Sequence, residues 1–181
     1  MPLTTVTKIL GINDIKISKL TADDATATTY SASVDVPGST SLKLGAKFVE
    51  KELRGDEVIL DRYTKLDSID FSFDHAKVSL DVLNVLLGGT TAAAGTTPAQ
   101  TQTYSLKGTD IPSYFKLEGQ TKYTDAGDVH IVLYKCKINK FDYELKGEDY
   151  ASVSISGTAI PTVKDGKIKD IVINETAAAI V

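Results

Sequence analysis

Tryptophan is absent from this chain of 181 residues, and cysteine and methionine occur once each. A single thiol, Cys136, cannot close an internal disulfide, so the fold does not rest on cross-links. No apolar run approaches the ~18 residues that a membrane-spanning helix needs, and membrane insertion by this chain is not expected. A basic excess is missing too. Lys and Arg number 20 against 24 Asp and Glu, giving a formal charge of −4 and a pI of about 5.2. That balance argues against a free-standing nucleic-acid-binding module, which would carry a basic face. The opening Met1-Pro2-Leu3-Thr4-Thr5 lacks the basic stretch and apolar core of a signal peptide, so synthesis in a reducing cytoplasm is expected. Hydrophobic residues make up 42% and charged ones 24%, which excludes general disorder.

What is present is a period of two, the strand signature. Ile69, Phe71 and Phe73 alternate with Ser68, Asp70, Ser72 and Asp74. The same alternation runs through Tyr30 to Val36, Phe141 to Leu145 and Ala151 to Ile155. Half-buried antiparallel sheet accounts for it, with one face on a core and one in water. Val129 to Ile138 carries apolar residues on both faces, so its middle is expected to be covered on both sides. Turn signals stand at Pro37-Gly38, Arg54-Gly55-Asp56, 125–128, 146–149 and Lys164-Asp165-Gly166-Lys167, all of which read as hairpin connections. Lys47 to Lys65 reads as a hairpin rich in both signs of charge. Its apolar positions, Phe48, Val49, Leu53, Val58, Ile59 and Leu60, need a partner to cover them. One helix is predicted from Ser79 as N-cap, with Asp81 in the first turn, an apolar stripe of Val82, Leu83, Leu86 and Leu87, and a stop at Gly88-Gly89. It is expected to lie on the greasy sheet face that includes Phe71 and Phe73. Residues 88–103, rich in Thr, Ala, Gly, Pro and Gln, read as a mobile loop.

Catalytic constellations are hard to find. His75 and His130 lie in no Cys-x-x-Cys or His-Glu-x-x-His pattern and read as structural or surface histidines. Cys136 sits between Lys135 and Lys137, which on a strand point away from it, so it reads as a small buried hydrophobe. Asp70 and Asp74 would stand roughly 13 Å apart along a strand, too far for a shared metal. Asp142 and Glu144 would stand roughly 7 Å apart, but without an aromatic sugar platform. Gly166-Lys167 is followed by Ile168 and does not form a phosphate loop. Arg54-Gly55-Asp56 suits a plain turn, and Asn174-Glu175-Thr176 means nothing without export. No enzyme activity, cofactor or metal is expected.

The order of elements resembles the tail tube proteins, or major tail proteins, of tailed bacteriophages. The likeness spans about Lys43 to Thr176. It is carried by Tyr63-Thr64-Lys65-Leu66-Asp67-Ser68, the Phe71-to-Phe73 strand, Leu80-Asp81-Val82-Leu83 and Leu87-Gly88-Gly89. It continues with Tyr114-Phe115-Lys116-Leu117-Glu118-Gly119, Asp128-Val129-His130, Tyr134-Lys135-Cys136-Lys137 and Ile171-Val172-Ile173-Asn174-Glu175-Thr176.

The resemblance implies a mainly β fold, a β-sandwich or half-barrel of antiparallel strands with one flanking helix and a long projecting hairpin. It implies one domain over 1–181, with an N-terminal arm (about 1–20), the hairpin (about 43–66), the loop (about 88–103) and a C-terminal tail (about 174–181). It also implies a structural subunit that polymerises as stacked, hexameric rings around an acidic channel that conducts DNA into the host. Implied partners are further copies of the chain, tape-measure, tail-terminator and baseplate or tip proteins, and double-stranded DNA in transit. The implied location is the virion tail, assembled in the bacterial cytoplasm. Asp70, Asp74, Glu50, Glu52 and Glu118 are the candidates for the channel lining, where acidic groups would repel phosphate. Phe48, Val49, Leu53, Arg54, Val58, Ile59 and Leu60 are the candidates for subunit contacts, together with Leu3 to Leu10 and Ala177 to Val181. Lys43, Lys47, Lys51 and Arg54 are expected to meet acids on adjacent subunits. The inner tube of a contractile tail or injection machine and a surface-displayed β-sandwich binding module are the alternatives.

Overall fold

A computed structural model describes residues 8–123, 127–145, 147 and 150–180. Residues 1–7 of the expected arm, Val181, and most of the turns at 125–128 and 146–149 lie outside the described residues.

The chain runs β1 (Ile9–Asp23), β2 (Thr28–Tyr30), β3 (Val34–Asp35), β4 (Ser39–Gly55), β5 (Val58–His75), α1 (Leu80–Leu87), β6 (Thr90–Ala94), β7 (Thr101–Ser105), β8 (Phe115–Tyr123), β9 (Asp128–Glu144), β10 (Ser152–Ala159) and β11 (Lys169–Asn174). Strands dominate because apolar and polar residues alternate along them. Ile69, Phe71, Phe73 and His75 of β5 are buried, whereas Asp70, Ser72 and Asp74 are half-buried on the other face.

The main sheet is antiparallel, in the order β2-β1-β8-β9-β10-β5-β4, with β3 on β1 and β11 on β9. It curls until its two ends face each other across one core. Phe71 of β5 meets Phe115 of β8 edge-on, with ring centroids 5.8 Å apart. A Cβ on Gly119 of β8 would stand 2.6 Å from Leu42 Cδ2 of β4, so those layers touch where glycine leaves room. The result is a mainly β, sandwich-like fold whose core joins Ile15, Ile17, Phe71, Phe73, Phe115, Leu117, Leu133 and Ile155.

Strand β9 is the hub. Its N-terminal half pairs with β8 and β11, and its C-terminal half pairs with β10. The turn at Lys164–Lys167 therefore does not close a hairpin. It passes the chain from β10 to β11, and these two strands lie along different stretches of β9 without pairing to each other. The expected double cover of the strand is present: Val129, Val132, Leu133 and Cys136 are all buried.

The helix begins and ends where its signals stand. Ser79 Oγ accepts from the Val82 N–H at 3.5 Å. Gly88, at φ 80°, donates its N–H to the Asn84 carbonyl at 3.0 Å. Val82, Val85 and Leu86 are buried and Leu83 and Leu87 half-buried, so the stripe is centred one position away from the expected one. The helix packs over β1 and β3 and shares the core with Phe71 and Phe73.

Two expectations need correction. Residues 9–20, assigned to an arm, form most of β1, an inner strand whose Ile15 and Ile17 have no solvent exposure. Residues 88–103, assigned to a mobile loop, hold β6 and most of β7, which pair in register from Thr90↔Ser105 to Ala94↔Thr101. Tyr104 ties this hairpin to the helix end by donating its hydroxyl to the Gly88 carbonyl at 2.6 Å.

Candidate functional site

Beyond Ser68, strand β5 has no neighbour except β4. The two strands run on as a ribbon, and from Ala46 to Asp67 every residue but Gly55 is exposed. Phe48, Leu53, Val58 and Leu60 are 57%, 61%, 61% and 65% exposed, and Val49 and Ile59 are exposed as well. All six apolar contact candidates therefore stand in solvent on this ribbon. The turn falls one residue later than the sequence suggests. Gly55 pairs with Val58, and the turning residues are Asp56 and Glu57, at φ 47° and 66°. Both lie in the left-handed region, as the hairpin turn matched to strand twist requires. Bulges at Asp67 and Leu60 interrupt the ladder and twist the ribbon.

Both arginines of the ribbon are paired within it. Glu52 takes Arg54 at 2.8 Å and Arg62 at 2.6 Å, one on each carboxylate oxygen. Arg54 is thus paired inside its own chain, as is Lys47, which reaches Asp70 at 3.0 Å.

The five candidates for an acidic lining do not share a surface. Asp70 and Asp74 project from the outer face of β5, the face opposite Phe71 and Phe73. The Lys47 ammonium and the Thr158 hydroxyl hold the Asp70 carboxyl below its usual range, and the Ser41 and Ser154 hydroxyls do the same for Asp74. Lys47 shares this face, so by alternation Glu50 and Glu52 lie on the reverse side of the ribbon. Glu118 sits on the outer face of β8, in the opposite layer, paired with Lys116 at 2.8 Å. The Asp70 face is also balanced rather than acidic. Register places Lys43, Lys47 and Lys140 beside Asp70, Asp74 and Asp142, and Lys140 bridges to Asp142. Ser41, Ser72, Ser154, Ser156 and Thr158 fill the remainder of this face with hydroxyls. Where it meets the ribbon there is a groove of about 640 Å³ lined by Val49, Lys51, Tyr63, Lys65, Ile160 and Pro161, among others.

On the other layer lies a buried polar cluster that the sequence does not announce. Asp128, fully buried, accepts from Gln120 Nε2 at 2.6 Å, Asn174 Nδ2 at 2.8 Å and the Ala178 N–H at 2.9 Å. His130 Nε2 lies 2.9 Å from the same carboxylate. Burial pushes this carboxyl up, but the hydrogen bonds from Gln120, Asn174, Ala178 and His130 outweigh it and hold the group down at about 2. Gln120 Nε2 also donates to the Ala178 carbonyl at 2.8 Å, and Lys16 Nζ donates to the Ile180 carbonyl at 2.9 Å. The C-terminal segment, expected to reach other subunits, lies back across its own sheet in this structure, with Ile180 buried. These partners come from four separate stretches of chain. Their one local trace is an acid opening a strand whose first half is largely apolar, Asp128-Val129.

The candidates for chemistry are placed as follows. Cys136 is fully buried, and burial pushes its thiol well up. His75 is buried at the core end of β5, with Nδ1 donating to the Lys77 carbonyl at 2.6 Å; burial lowers its pKa and favours the neutral ring. Asp142 and Glu144 are exposed. Among the described residues no three His, Cys, Asp or Glu side chains are grouped to hold a metal ion, and no helix is long and apolar enough to cross a membrane.

No family model matches the chain, and no curated protein matches it. Among solved structures it is similar to a chain of the SPP1 tail tube, determined by solid-state NMR and cryo-electron microscopy. The identity is 14% and the TM-score 0.39, over 86% of this chain and 78% of that one.

Proposed function

We propose that this chain is a structural, non-catalytic subunit of a phage tail tube, polymerising through its ribbon into stacked rings around a channel for DNA. The observation that carries this reading is the ribbon itself. Its backbone is ordered by one ladder, and its exposed residues include Phe48, Leu53, Val58 and Leu60. A monomer gains nothing from such an arm, because burying apolar groups against another surface is what offsets their exposure to water. The phrases shared with tail tube proteins, above all Tyr63 to Ser68 at the ribbon base, supply the identity of the assembly.

In this reading the outer face of β4, β5 and β10 is the wall toward the channel. It works by neutralised charge and hydroxyls rather than by an excess of acid. Its lysines are matched by aspartates, so phosphate finds no net cationic surface to neutralise. Further copies of the chain and the other tail proteins are the partners, and the virion tail is the location.

The test is negative-stain electron microscopy of the purified full chain beside a variant lacking Glu50 to Leu60. The full chain is expected to form rings or tubes, and the deletion to remain a folded monomer. Normal tubes from the deletion would remove the ribbon's role. A full chain that stays monomeric at high concentration would remove the tube reading itself.

A further inference from the structure

Strand register sorts the charges on the outer face of β4, β5, β10 and the C-terminal half of β9 into rows that cross the strands. Asp74 and Asp142 stand in one row, Lys43 and Lys140 in the next, Asp70 in the third and Lys47 in the fourth. Serine and threonine fill most of the places between them. Successive rows are two residues apart, about 7 Å. At the β9 end of the face Glu144 extends the acidic edge, and Lys137 leans over the Tyr114 ring at 5.0 Å. Up to Lys47, β4 gives this face only lysines, and β5 gives it only aspartates. The register offsets the two sets by one row. Each β4 lysine is therefore opposite a serine and diagonal to an aspartate, within reach of a long side chain. Lys47 reaches Asp70 at 3.0 Å, Lys140 bridges to Asp142, and Lys43 helps hold the Asp74 carboxyl down.

Two consequences follow for a polyphosphate. A field that changes sign every ~7 Å dies away faster than the ~8 Å over which salt screens a single charge. A duplex carries one phosphate charge per about 1.7 Å of its axis, so several phosphates span each pair of rows, and sliding the duplex leaves attraction and repulsion in balance. The second consequence concerns counterions. A lysine that neutralises a phosphate frees a counterion condensed on the duplex, and that release drives binding. Here each lysine would first have to abandon an aspartate, which stays on the chain and repels the same phosphate.

We propose that this face is a masked duplex-binding surface: Lys43, Lys47 and Lys140 form a phosphate-contacting set, and Asp70, Asp74 and Asp142 hold it off. The chain then meets a duplex without retaining it, at low salt as at high. The masking is a property of the single chain. Its use in a channel rests on the tube reading.

The test is the fluorescence anisotropy of a labelled DNA duplex titrated with the full chain. The unaltered chain is expected to show no binding between about 50 and 200 mM salt. Asp70→Asn, Asp74→Asn and Asp142→Asn together are expected to give saturable binding at about 50 mM salt, with a log–log salt slope of about −2.7, one phosphate per freed lysine. Such a slope weakens binding about fortyfold by 200 mM. The control is Asp56→Asn, Glu57→Gln and Asp165→Asn, exposed acids away from this face whose loss changes the formal charge by the same amount. No binding is expected from it. Should the first variant lose its circular dichroism, Asp70→Asn with Asp142→Asn takes its place. That pair leaves the Ser41 and Ser154 bonds to Asp74 intact, and its expected slope is about −1.8. Binding by the unaltered chain, equal binding by the control, or no binding by a folded asparagine variant overturns the proposal. The assay needs no assembly, so a chain that never forms tubes removes the tube reading and leaves the masking result standing.

Discussion

The two halves of strand β5 share one backbone and one partner strand but live in different environments. From Ile69 to His75 the strand lies between β4 and β10, and alternate side chains enter the core. From Val58 to Asp67 it has β4 alone, and both faces meet solvent. The ladder's hydrogen bonds are common to both halves. What differs is burial, so the lower half is held by apolar contact and the upper half by strand pairing, ion pairs and a turn. A two-stranded ribbon with no covered face is marginal by itself in water. Its order is borrowed from the body through continuous strands, and its apolar groups stand in water.

The widest separation comes from truncating one phenylalanine in each half. Phe73, with no solvent exposure, stacks against Phe71 at 6.3 Å. Phe73→Ala removes a fully buried ring and is expected to cost about 4 kcal/mol in urea denaturation. Phe48→Ala on the ribbon should leave the monomer's denaturation midpoint unchanged within error and reduce assembly instead. Equal losses in the two variants would mean that the ribbon is packed in the free chain, and the contrast would collapse.

Acid sharpens the same contrast, because the groups that respond are in the body. Asp128 is held at about 2 in the fold against 3.8 unperturbed. Its stabilisation is complete above the unperturbed value and is lost as pH falls through the folded one, about 2 kcal/mol in all. His75 also has a lowered pKa. The fold holds it neutral, while the unfolded chain begins to take up its proton below about 6.5. Its contribution therefore also declines as pH falls, but from a higher starting point. Thermal denaturation between pH 8 and 2.5 should show a shallow fall beginning near pH 6.5 and a steeper one below 4. The first step should vanish in His75→Gln, and the second should shrink in Asp128→Asn, its remainder coming from carboxyls such as Asp70 and Asp74 that the fold also holds low. A melting temperature flat from pH 6.5 to 2.5 would contradict both assignments.

How far the sequence reveals these regions depends on whether apolar and polar residues contrast within a short window. Ile69, Phe71 and Phe73 against four small polar neighbours fix both the strand and its buried face, and Ser79 and Gly88 bracket the helix. The ribbon is legible for the opposite reason, since Phe48 to Leu60 mixes charge and bulk with no consistent core face. Residues 90–105 hide a hairpin because Thr and Ala give no contrast, and their pairing is a matter of backbone alone. Strand β1 is concealed by its position near the start of the chain, although Ile15 and Ile17 alternate with Lys16 and Ser18. The faces of the lining candidates are illegible for a different reason. Glu50, Asp70 and Glu118 are alike as residues, but the face each one occupies depends on strand order, bulges and the curl of the sheet, which no local pattern carries. The Asp128 cluster is the extreme case, assembled from residues 120, 128, 130, 174 and 178.

The smallest effect is expected at the ribbon tip, where the comparison can be tuned rather than broken. Glu57 holds a left-handed backbone, φ 66°, with a side chain that disfavours it. It follows Asp56, which is also left-handed but belongs to a residue type that tolerates this region better. Glu57→Gly relieves the clash between Cβ and carbonyl and makes the turn Asp-Gly, the pairing that suits a two-residue hairpin. The gain is about 1 kcal/mol, reduced by glycine's larger entropy in the open state. Because the turn lies far from the core, the gain should appear as slower amide hydrogen exchange at Leu53 and Val58, with exchange at Phe73 and Leu117 unaltered. If protection rose equally in ribbon and body, the two halves of β5 would open as one unit, and the ribbon could not be treated as an independently ordered arm.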